Sequence, residues 1–211
     1  MEVYNMETGI YGVNTYIVYS ENNKECIIID PSSDADKILS KIHDMELTPR
    51  YIVLTHGHGD HIGGVIPLKQ KLNIPVLIHE DDSDMLYDPS LNLSKSMVYG
   101  PISIKPDKLL KDNDMIMLGD EKIKVIHTPG HTKGGICLFF DNNLISGDTL
   151  FKRSIGRTDL YGGNYENLID SLLNKILALP KNTRVLPGHG PFTTIEDESK
   201  MNPYIIKYIK N

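Results

Sequence analysis

The first half of the chain alternates apolar runs of strand length with segments whose apolar residues recur at helical spacing. The predicted strands cover residues 3–6, 15–19, 25–30, 51–54 and 74–78. The two predicted helices carry their apolar faces on Ile38, Ile42 and Met45, and on Val65, Leu68 and Leu72. Ser33 or Asp34 is expected to cap the first helix, and Pro49 to end that unit. This order predicts helices packed against a sheet.

The second half is predicted to contain two hairpins, a helix, a last strand and a helical tail. The hairpins pair residues 114–118 with 122–126 and 135–140 with 144–146, because turn residues separate the apolar runs of each pair. The predicted helix covers 165–179, the strand 184–186, and the short helical tail 195–211, with a break at Asn202 and Pro203.

Residues 80–111 interrupt this regularity. A short helix is predicted at 80–87, but the rest of the segment holds Pro89, Pro101 and Pro106 and shows no clear period. Long irregular stretches inside a compact domain are more often functional than idle. We therefore expect this segment to cover an active site.

Length and composition narrow the function classes. The 211 residues are predicted to form a single domain, over 1–211, with a sizeable core. A net charge of −6 argues against nucleic-acid binding, which needs a basic face. No apolar run reaches the length of a membrane span, and no secretory signal is visible, so we expect a cytoplasmic location without membrane association. Cys26 and Cys137 lie in apolar runs and are expected in the core.

Residues 55–61 concentrate ligand-type side chains directly after the predicted strand 51–54. The stretch reads Thr-His-Gly-His-Gly-Asp-His. Unpaired polar groups are costly to bury, whereas imidazole and carboxylate are ligands that first-row divalent ions prefer. The stretch therefore predicts a metal site on a glycine-rich turn.

Three more ligand-type residues follow predicted strands and precede turns. They are His131, Asp148 and His189. Active groups of α/β proteins collect on loops at strand ends, so the recurrence at four strand ends indicates one shared site. The spacing of His127 fits a core role or a role behind the ligands. His43 and His79 have no partners in sequence and are expected to be surface or packing residues.

Four motifs in this order resemble the metallo-β-lactamase superfamily, and most of all its short glyoxalase II-like hydrolases. They are Thr-His-x-His-x-Asp-His at 55–61, His-Thr-x-Gly-His-Thr at 127–132, Gly-Asp-Thr-Leu-Phe at 147–151 and Pro-Gly-His-Gly at 187–190. The resemblance extends over nearly the whole chain. It implies an α/β fold, the αββα sandwich of two mixed β-sheets flanked by helices, with a two-metal site between the sheet edges.

Carried over by position, the resemblance implies two sets of metal ligands and a bridge. The first set is His56, His58 and His131, the second is Asp60, His61 and His189, and the bridge is Asp148. The implied cofactors are two divalent ions, zinc in first place with iron or manganese as alternatives. Such ions share a water, lower its pKa and polarise a carbonyl, so no serine or cysteine nucleophile is needed. Asp60 is also expected to be catalytic, by orienting the hydroxide or taking up its proton.

Arg157 falls where glyoxalase II proteins place a basic residue against the glutathione moiety, and its planar fork suits a carboxylate. The neighbouring aromatic contact of that family is not matched, because Thr158 and Asp159 stand there. The alternative for Arg157 is an ion pair with Asp159 or Asp148. Full-length glyoxalase II proteins also hold glutathione with basic residues of a C-terminal helical domain. Here only lysines of the tail could stand in, namely Lys200, Lys207 and Lys210.

The resemblance thus implies a metal-dependent hydrolase of a small-molecule acyl thioester, such as a hydroxyacyl-glutathione, that uses a metal-bridging hydroxide. Two alternatives stay open. Persulfide dioxygenases share the scaffold and the Gly-Arg-Thr-Asp stretch at 156–159 but use one iron, and the Pro-Gly-His-Gly-Pro stretch at 187–191 looks more like the hydrolases. A lactonase or β-lactamase-type hydrolase is the other alternative, although β-lactamases usually carry a signal peptide.

Overall fold

Two six-stranded β-sheets pack face to face in the computed structural model, which describes residues 1–209. The first sheet has the order β1 (Glu2–Thr8), β2 (Val13–Tyr19), β3 (Glu25–Ile29), β4 (Thr48–Val53), β5 (Val76–His79) and β6 (Lys108–Leu110). The second is built from β7 (Met115–Leu118), β8 (Glu121–His127), β9 (Ile136–Phe140), β10 (Asn143–Gly147), β13 (Arg184–Pro187) and β14 (Thr193–Thr194), in the order β14-β13-β10-β9-β8-β7. A separate hairpin consists of β11 (Leu150–Phe151) and β12 (Ser154–Ile155).

The helices lie on the outer faces of the sheets and at the ligand loops. They are α1 (Ala35–Asp44), α2 (Gly59–Ile62), α3 (Val65–Leu72), α4 (Ser83–Tyr87), α5 (Tyr165–Asp170), α6 (Ile195–Met201) and α7 (Pro203–Ile209). A 3₁₀ turn precedes α4, and a π-helical segment over Ser171–Ile176 continues α5. None of the helices within residues 1–209 is long and apolar enough to cross a membrane. Residues 210 and 211 of the predicted tail, and Lys210 with them, lie outside the described residues.

The core is divided by the two faces of each strand. Along β3, Cys26 and Ile28 pack in the cluster under the helices, whereas Ile27 and Ile29 pack between the two sheets. Side chains of a strand point to opposite faces in turn, so a strand buried on both faces is an unbroken apolar run. A third cluster, which includes Leu168 of α5, covers the second sheet. The predicted αββα sandwich is therefore confirmed.

Differences from the predicted elements lie at a proline, at a helix cap and at short strands. Pro49 does not end its unit but lies inside β4, where the pairing with β3 shifts register; proline is tolerated at such irregularities. Asp34 precedes α1 but does not cap it, because its carboxylate accepts the N–H of Gly9 over 3.1 Å. The strands β6, β14, β11 and β12 are too short to show a period, and the first lies within the segment 80–111.

One edge of the sandwich collects the ends of several strands. β3, β4 and β5 run parallel, as do β10 and β13, so their C-terminal ends meet at this edge. The two sheets are joined there by hydrogen bonds. The N–H of Ile136 donates to the carbonyl of Thr55 over 2.9 Å, and the hydroxyl of Tyr16 donates to the carbonyl of Pro187 over 2.7 Å. Loops from both sheets are thereby held in one small volume.

Candidate metal centre

Three buried histidines form a first cluster, in which one ring nitrogen of each lies within 4.8 Å of the others. His56 and His58 follow β4, and His131 follows β8. Nδ1 of His58 is 2.9 Å from Nε2 of His131, and the ring centre of His56 is 4.9 and 4.8 Å from theirs. Burial lowers the pKa of His56 and of His58, and their histidine neighbours lower it further. Both are therefore neutral imidazoles, the form that binds metal ions.

Asp60, His61 and His189 form a second cluster. The first two lie on the single turn of α2, and His189 follows β13. Nε2 of His61 is 3.3 Å from Nε2 of His189, and Oδ2 of Asp60 is 3.4 Å from the same atom of His189. The cluster thus draws one ligand loop from each sheet.

Asp148 lies between the two clusters, directly after β10. Its Oδ1 is 3.5 Å from Nε2 of His61, and its Oδ2 is 3.6 Å from Nε2 of His131 and 3.8 Å from Nε2 of His189. Only glycine fits at position 188, because a Cβ on Gly188 would lie 2.3 Å from Oδ1 of Asp148. The structure therefore brings together all seven residues that were predicted as metal ligands.

Carboxylates in and beside the second cluster raise the pKa of His61. Burial opposes a charge on His61, but Asp60, Asp148 and Asp30 outweigh it and raise its pKa to about 10. Burial likewise opposes ionisation of Asp60, and the charges of His61 and His189 prevail and lower its pKa. Imidazole must lose its proton to coordinate a metal ion, so metal binding at this cluster releases a proton.

Hydrogen bonds at the far side of the rings of His56 and His131 fix their orientation. Nδ1 of His56 is 3.1 Å from Oγ1 of Thr55, and Nδ1 of His131 donates to the carbonyl of Arg157 over 2.8 Å. A ring that uses Nδ1 in this way directs the lone pair of Nε2 into the cluster. The loops therefore present oriented nitrogens before any ion arrives.

Asp30 belongs to the site and was missed in the sequence analysis. It is buried, and its carboxylate accepts the N–H and the hydroxyl of Thr55 over 2.7 and 2.6 Å and lies 3.0 Å from Nδ1 of His61. A signal for it was present, because Asp30 directly follows β3 as Asp148 follows β10. Asp30 orients His61, and its hydrogen bonds to Thr55 connect the end of β3 to the end of β4.

The donor set fits divalent metal ions. Within residues 1–209, Nε2 of His56 and Oδ1 of Asp148 are buried without a hydrogen-bond partner, although buried polar atoms are normally paired. Two ligands of one tetrahedral zinc ion, at about 2.0–2.1 Å from it, lie roughly 3.3–3.4 Å apart. The distances from His189 to His61 and to Asp60, 3.3 and 3.4 Å, have that size. Unpaired inward atoms and ligand-like spacing both suit bound ions.

Arg157 stands beside the first cluster but does not enter it. Its Nε and Nη2 donate to the two carboxylate oxygens of Asp159 over 2.7 and 2.8 Å, and both side chains are exposed. Its backbone carbonyl accepts from His131, as described above. The ion pair is the alternative that the sequence left open, and the substrate-binding role of Arg157 stays a prediction.

The tail lysines within the described residues have partners near their own helices. Lys200 pairs with Glu196 on the preceding turn of α6, and Nζ of Lys207 donates to the hydroxyl of Tyr165 over 2.7 Å. Their predicted part in glutathione recognition remains a prediction.

The segment 80–111 packs against the ligand turn that follows β4. The N–H of Gly59 donates to the carbonyl of Asn92 over 2.7 Å. A Cβ on Gly59 would lie 2.7 Å from Sδ of Met97, and a Cβ on Gly63 would lie 3.2 Å from the ring of Tyr99. The segment therefore lies over this turn, and its role as a cover of the active site stays a prediction.

The remaining histidines are packing or surface residues, as expected. His43 is exposed, whereas His79 is buried with its ring stacked on His127 at 3.9 Å between centres and 14° between planes. Asp81 lies near both rings. Nδ1 of His79 and Nε2 of His127 lie 3.8 and 3.9 Å from Oδ2 of Asp81, but Nε2 of His127 donates to the carbonyl of Lys133 over 2.8 Å and so offers no lone pair to a metal ion. This group therefore does not resemble a metal site.

Over residues 8–189, the sequence matches the metallo-beta-lactamase superfamily. The chain belongs to this superfamily. The ordered motifs and the αββα sandwich agree with that membership.

Two relatives align with this chain over most of both sequences. "Probable metallo-hydrolase YqgX" of Bacillus subtilis is 38% identical over 203 residues, which cover 95% of this chain and 95% of the relative. "Hydroxyacylglutathione hydrolase GloC" of Haemophilus influenzae is 31% identical over 189 residues, which cover 88% of this chain and 89% of the relative. Membership and relatives together support a metal-dependent hydrolase in general.

Solved structures of three superfamily proteins are similar to the whole chain. The BLEG-1 B3 metallo-beta-lactamase has a TM-score of 0.91 and 39% identity, with 97% of this chain and 99% of that chain covered. TTHA1623, in a di-iron-bound form, has a TM-score of 0.85 and 34% identity, with 95% and 99% covered. ETHE1 from Myxococcus xanthus has a TM-score of 0.80 and 25% identity, with 100% and 91% covered.

Proposed function

We propose that the chain is a binuclear metal-dependent hydrolase that cleaves an acyl thioester. The observation that carries the proposal is the pair of three-residue clusters with Asp148 between them. Seven donors for two ions leave coordination positions free for water and substrate, as catalytic sites require. We infer zinc as the metal because the donors are imidazoles and carboxylates and two donor–donor distances of the second cluster have the tetrahedral size, with iron or manganese as alternatives.

The residues of the site divide the work. His56, His58 and His131 would hold one ion, Asp60, His61 and His189 the other, with Asp148 touching both sets. When bound, two such ions lower the pKa of a water and polarise a carbonyl. Asp60, a member of the second cluster, would orient the attacking water or accept its proton. Asp30 holds the ring of His61, and so the second cluster, in place.

Thioester hydrolysis needs no other nucleophile. The water oxygen bonds to the acyl carbon, the carbon–sulfur bond breaks, one water proton goes to the leaving sulfur, and the acid product releases the other. A thiolate is a good leaving group, so the main demand on the protein is to orient the carbonyl and the water.

An anionic thioester is supported by two observations. The exposed guanidinium of Arg157 lies on the loop whose carbonyl contacts His131, so an anionic substrate at the first cluster would pass close to it. The name of the Haemophilus influenzae relative specifies hydroxyacylglutathione, which is such a thioester. We therefore propose hydroxyacyl-glutathione or a related acyl thioester as the substrate.

β-Lactam hydrolysis is the second candidate function. It is favoured by the similarity to the BLEG-1 B3 metallo-beta-lactamase, which is 39% identical over 97% of this chain. The same clusters could serve an amide carbonyl, since the attack on the acyl carbon is alike in both reactions. The two candidates differ in what the substrate pocket accepts and in the leaving group, because the nitrogen of a β-lactam must take up a proton as the carbon–nitrogen bond breaks, whereas a thiolate can leave without one.

The test combines metal analysis with a substrate panel. We expect close to two metal ions per chain and, for a zinc-loaded sample without oxygen, hydrolysis of acyl-glutathione or acyl-coenzyme A faster than that of β-lactams and lactones. Zinc has no accessible second oxidation state, so anaerobic turnover separates hydrolysis from the oxidative chemistry of a dioxygenase. One iron per chain with oxygen uptake on glutathione persulfide and no hydrolysis would contradict the proposal. A preference for β-lactams would replace it with the second candidate.

A further inference from the structure

Asp82 is a buried carboxylate at the start of α4, outside the two clusters. Its side chain is fully buried, and it does not cap its own helix. Instead, Oδ2 accepts the N–H of Gly57 over 3.1 Å and the hydroxyl of Thr132 over 2.7 Å, while Oδ1 accepts the N–H of Gly134 over 2.6 Å. All three partners donate, so both carboxylate oxygens of Asp82 serve as acceptors.

These three donors come from the two loops that build the first cluster. Gly57 stands between His56 and His58, and Thr132 directly follows His131. The loops belong to different sheets, and Nδ1 of His58 meets Nε2 of His131 at 2.9 Å. Asp82 therefore bridges the loops directly behind the point where their imidazoles converge.

The contact is close enough to constrain the sequence around it. A Cβ on Gly134 would lie 2.8 Å from Cβ and 2.9 Å from Cγ of Asp82, so only glycine allows the carboxylate to reach the loop after β8. Charge-assisted hydrogen bonds to a buried carboxylate are shorter and stronger than neutral ones, and removing one partner leaves the others unsatisfied. The bridge is thus rigid and costly to alter.

We propose that Asp82 is a positioning residue that sets the separation of the two loops and thereby the metal affinity of the cluster His56, His58 and His131. Asp30 has the corresponding position behind His61 of the other cluster. Asp30 also accepts from Thr55, whose hydroxyl lies against His56, so its contacts reach both clusters, whereas those of Asp82 reach the loops of the first cluster. The inference rests on the two-metal site of the proposed function and is independent of which substrate is hydrolysed.

The test measures zinc affinity and not activity alone. In Asp82→Asn, the amide oxygen can still accept the hydrogen bonds from Gly57 and Thr132. The amide NH₂ then faces the N–H of Gly134, and two donors cannot pair with each other. Groups behind metal ligands typically change metal affinity by about 10–100-fold. We therefore expect competition titration with a chromophoric chelator to show one of the two zinc sites weakened by about that factor. A crystal structure of the zinc-loaded variant is expected to show reduced occupancy at His56, His58 and His131 only.

Glu198 supplies a matched control. It is also a fully buried carboxylate, and its partners Arg153, Thr193 and Asn202 include none of the residues of the two clusters. Glu198→Gln is expected to lower the free energy of unfolding, and any change in zinc affinity is expected to be the same at both sites. Thr132→Val removes a single donor and is expected to give a smaller effect at the same site, which keeps the test available if Asp82→Asn does not fold.

Three outcomes decide the matter. A loss of zinc affinity at the first cluster alone, in Asp82→Asn or Thr132→Val, supports the inference. Two unchanged affinities in a folded variant, or equal loss at both sites as in Glu198→Gln, overturn it while leaving the proposed function intact. A wild-type chain that takes up none of zinc, iron and manganese overturns both.

Discussion

Asp148 is the residue on which the two clusters depend most, because its carboxylate oxygens lie 3.5 to 3.8 Å from ligand nitrogens of both. Without it, two bound cations would face each other across a volume that has lost its shared negative charge. If Asp148 bridges two ions as proposed, its loss would change metal occupancy at both clusters and turnover together.

We expect Asp148→Ala to lose metal and to lower kcat/KM on the order of 10³-fold or more, about 4 kcal/mol of transition-state stabilisation. Metal analysis and steady-state kinetics on the purified variant provide the measurement. Asp120→Ala, in the exposed turn before β8, serves as the control. Full metal content with near wild-type turnover in Asp148→Ala would show that this carboxylate is not a bridge.

The second residue-scale prediction concerns Arg157 and its ion pair with Asp159. Exposed ion pairs contribute little to stability, so the guanidinium is free to exchange Asp159 for a substrate carboxylate. Arg157→Ala should raise KM for an anionic thioester several-fold and leave kcat nearly unchanged, because a remote charge contact is uniform binding. The backbone carbonyl that orients His131 is retained in this variant.

The partner of the pair offers the opposite change. Asp159→Asn releases the guanidinium and should lower KM for the same anionic substrate, while neither variant should change KM for an uncharged thioester. Kinetics on the two substrates test both expectations together. Identical KM values for Arg157→Ala and the wild type on the charged substrate would remove Arg157 from the binding site.

At the scale of elements, the ends of β5 and β8 are tied together across the sandwich by the stacked rings of His79 and His127. Burial and the neighbouring His127 lower the pKa of His79, and the acidic residues Asp81, Glu80 and Asp112 only partly oppose them. The unfolded chain binds a proton at His79 more readily than the folded chain. Stability from this residue is thus complete above the unfolded value of 6.5 and is lost as the pH falls below it.

When the pH is lowered from 7.5 to 5.5, we therefore expect the free energy of unfolding to decrease less in His79→Asn than in the wild type. Asparagine can still accept the N–H of Asp81 that His79 accepts over 3.3 Å, so the turn before α4 is kept. Urea denaturation of both proteins at the two pH values measures the difference, and the metal-ligand histidines titrate in both and cancel. An equal loss in both proteins would show that His79 does not contribute to acid sensitivity.

At the scale of the whole molecule, the site joins the two sheets. The first sheet supplies Asp30 and the ligands of residues 56–61, and the second supplies His131, Asp148 and His189. An ion held by both sets stabilises the folded state only, since the unfolded chain does not bring the ligands together. Metal binding and sandwich stability are therefore linked.

Removal of metal by a chelator should lower the melting temperature. A ligand at 100 times its Kd adds about 2.7 kcal/mol of stability, and a chain of this size shifts by about 2–4 °C per kcal/mol. We expect a decrease of roughly 5–10 °C, restored by zinc, in differential scanning calorimetry. Chelation that empties both clusters without any change in melting temperature would contradict the link between the sheets.

The sequence alone was sufficient to predict the features that depend on neighbouring residues in the chain, namely the strands and the ligand-type residues at their ends. Apolar runs of strand length such as 25–30 predicted strands, and the structure places β3 at Glu25–Ile29. Ligand-type residues at four strand ends predicted one shared site, and all seven converge. The motifs that contain these residues resemble a known superfamily, and that resemblance predicted the αββα sandwich. The pattern of apolar residues by itself did not specify the order of the strands.

Only the tertiary structure decided what lies behind and beside the ligands. Asp82 meets Thr132 across 50 positions of sequence, and Asp30 meets His61 across 31. A lone carboxylate has the same local signature whether it is exposed or buried against distant donors, since its environment comes from other strands. The short strand β6 and the ion pair of Arg157 likewise depend on neighbours that local periodicity does not encode. Identity of the ligands is a property of residue type, whereas their orientation and support are properties of packing.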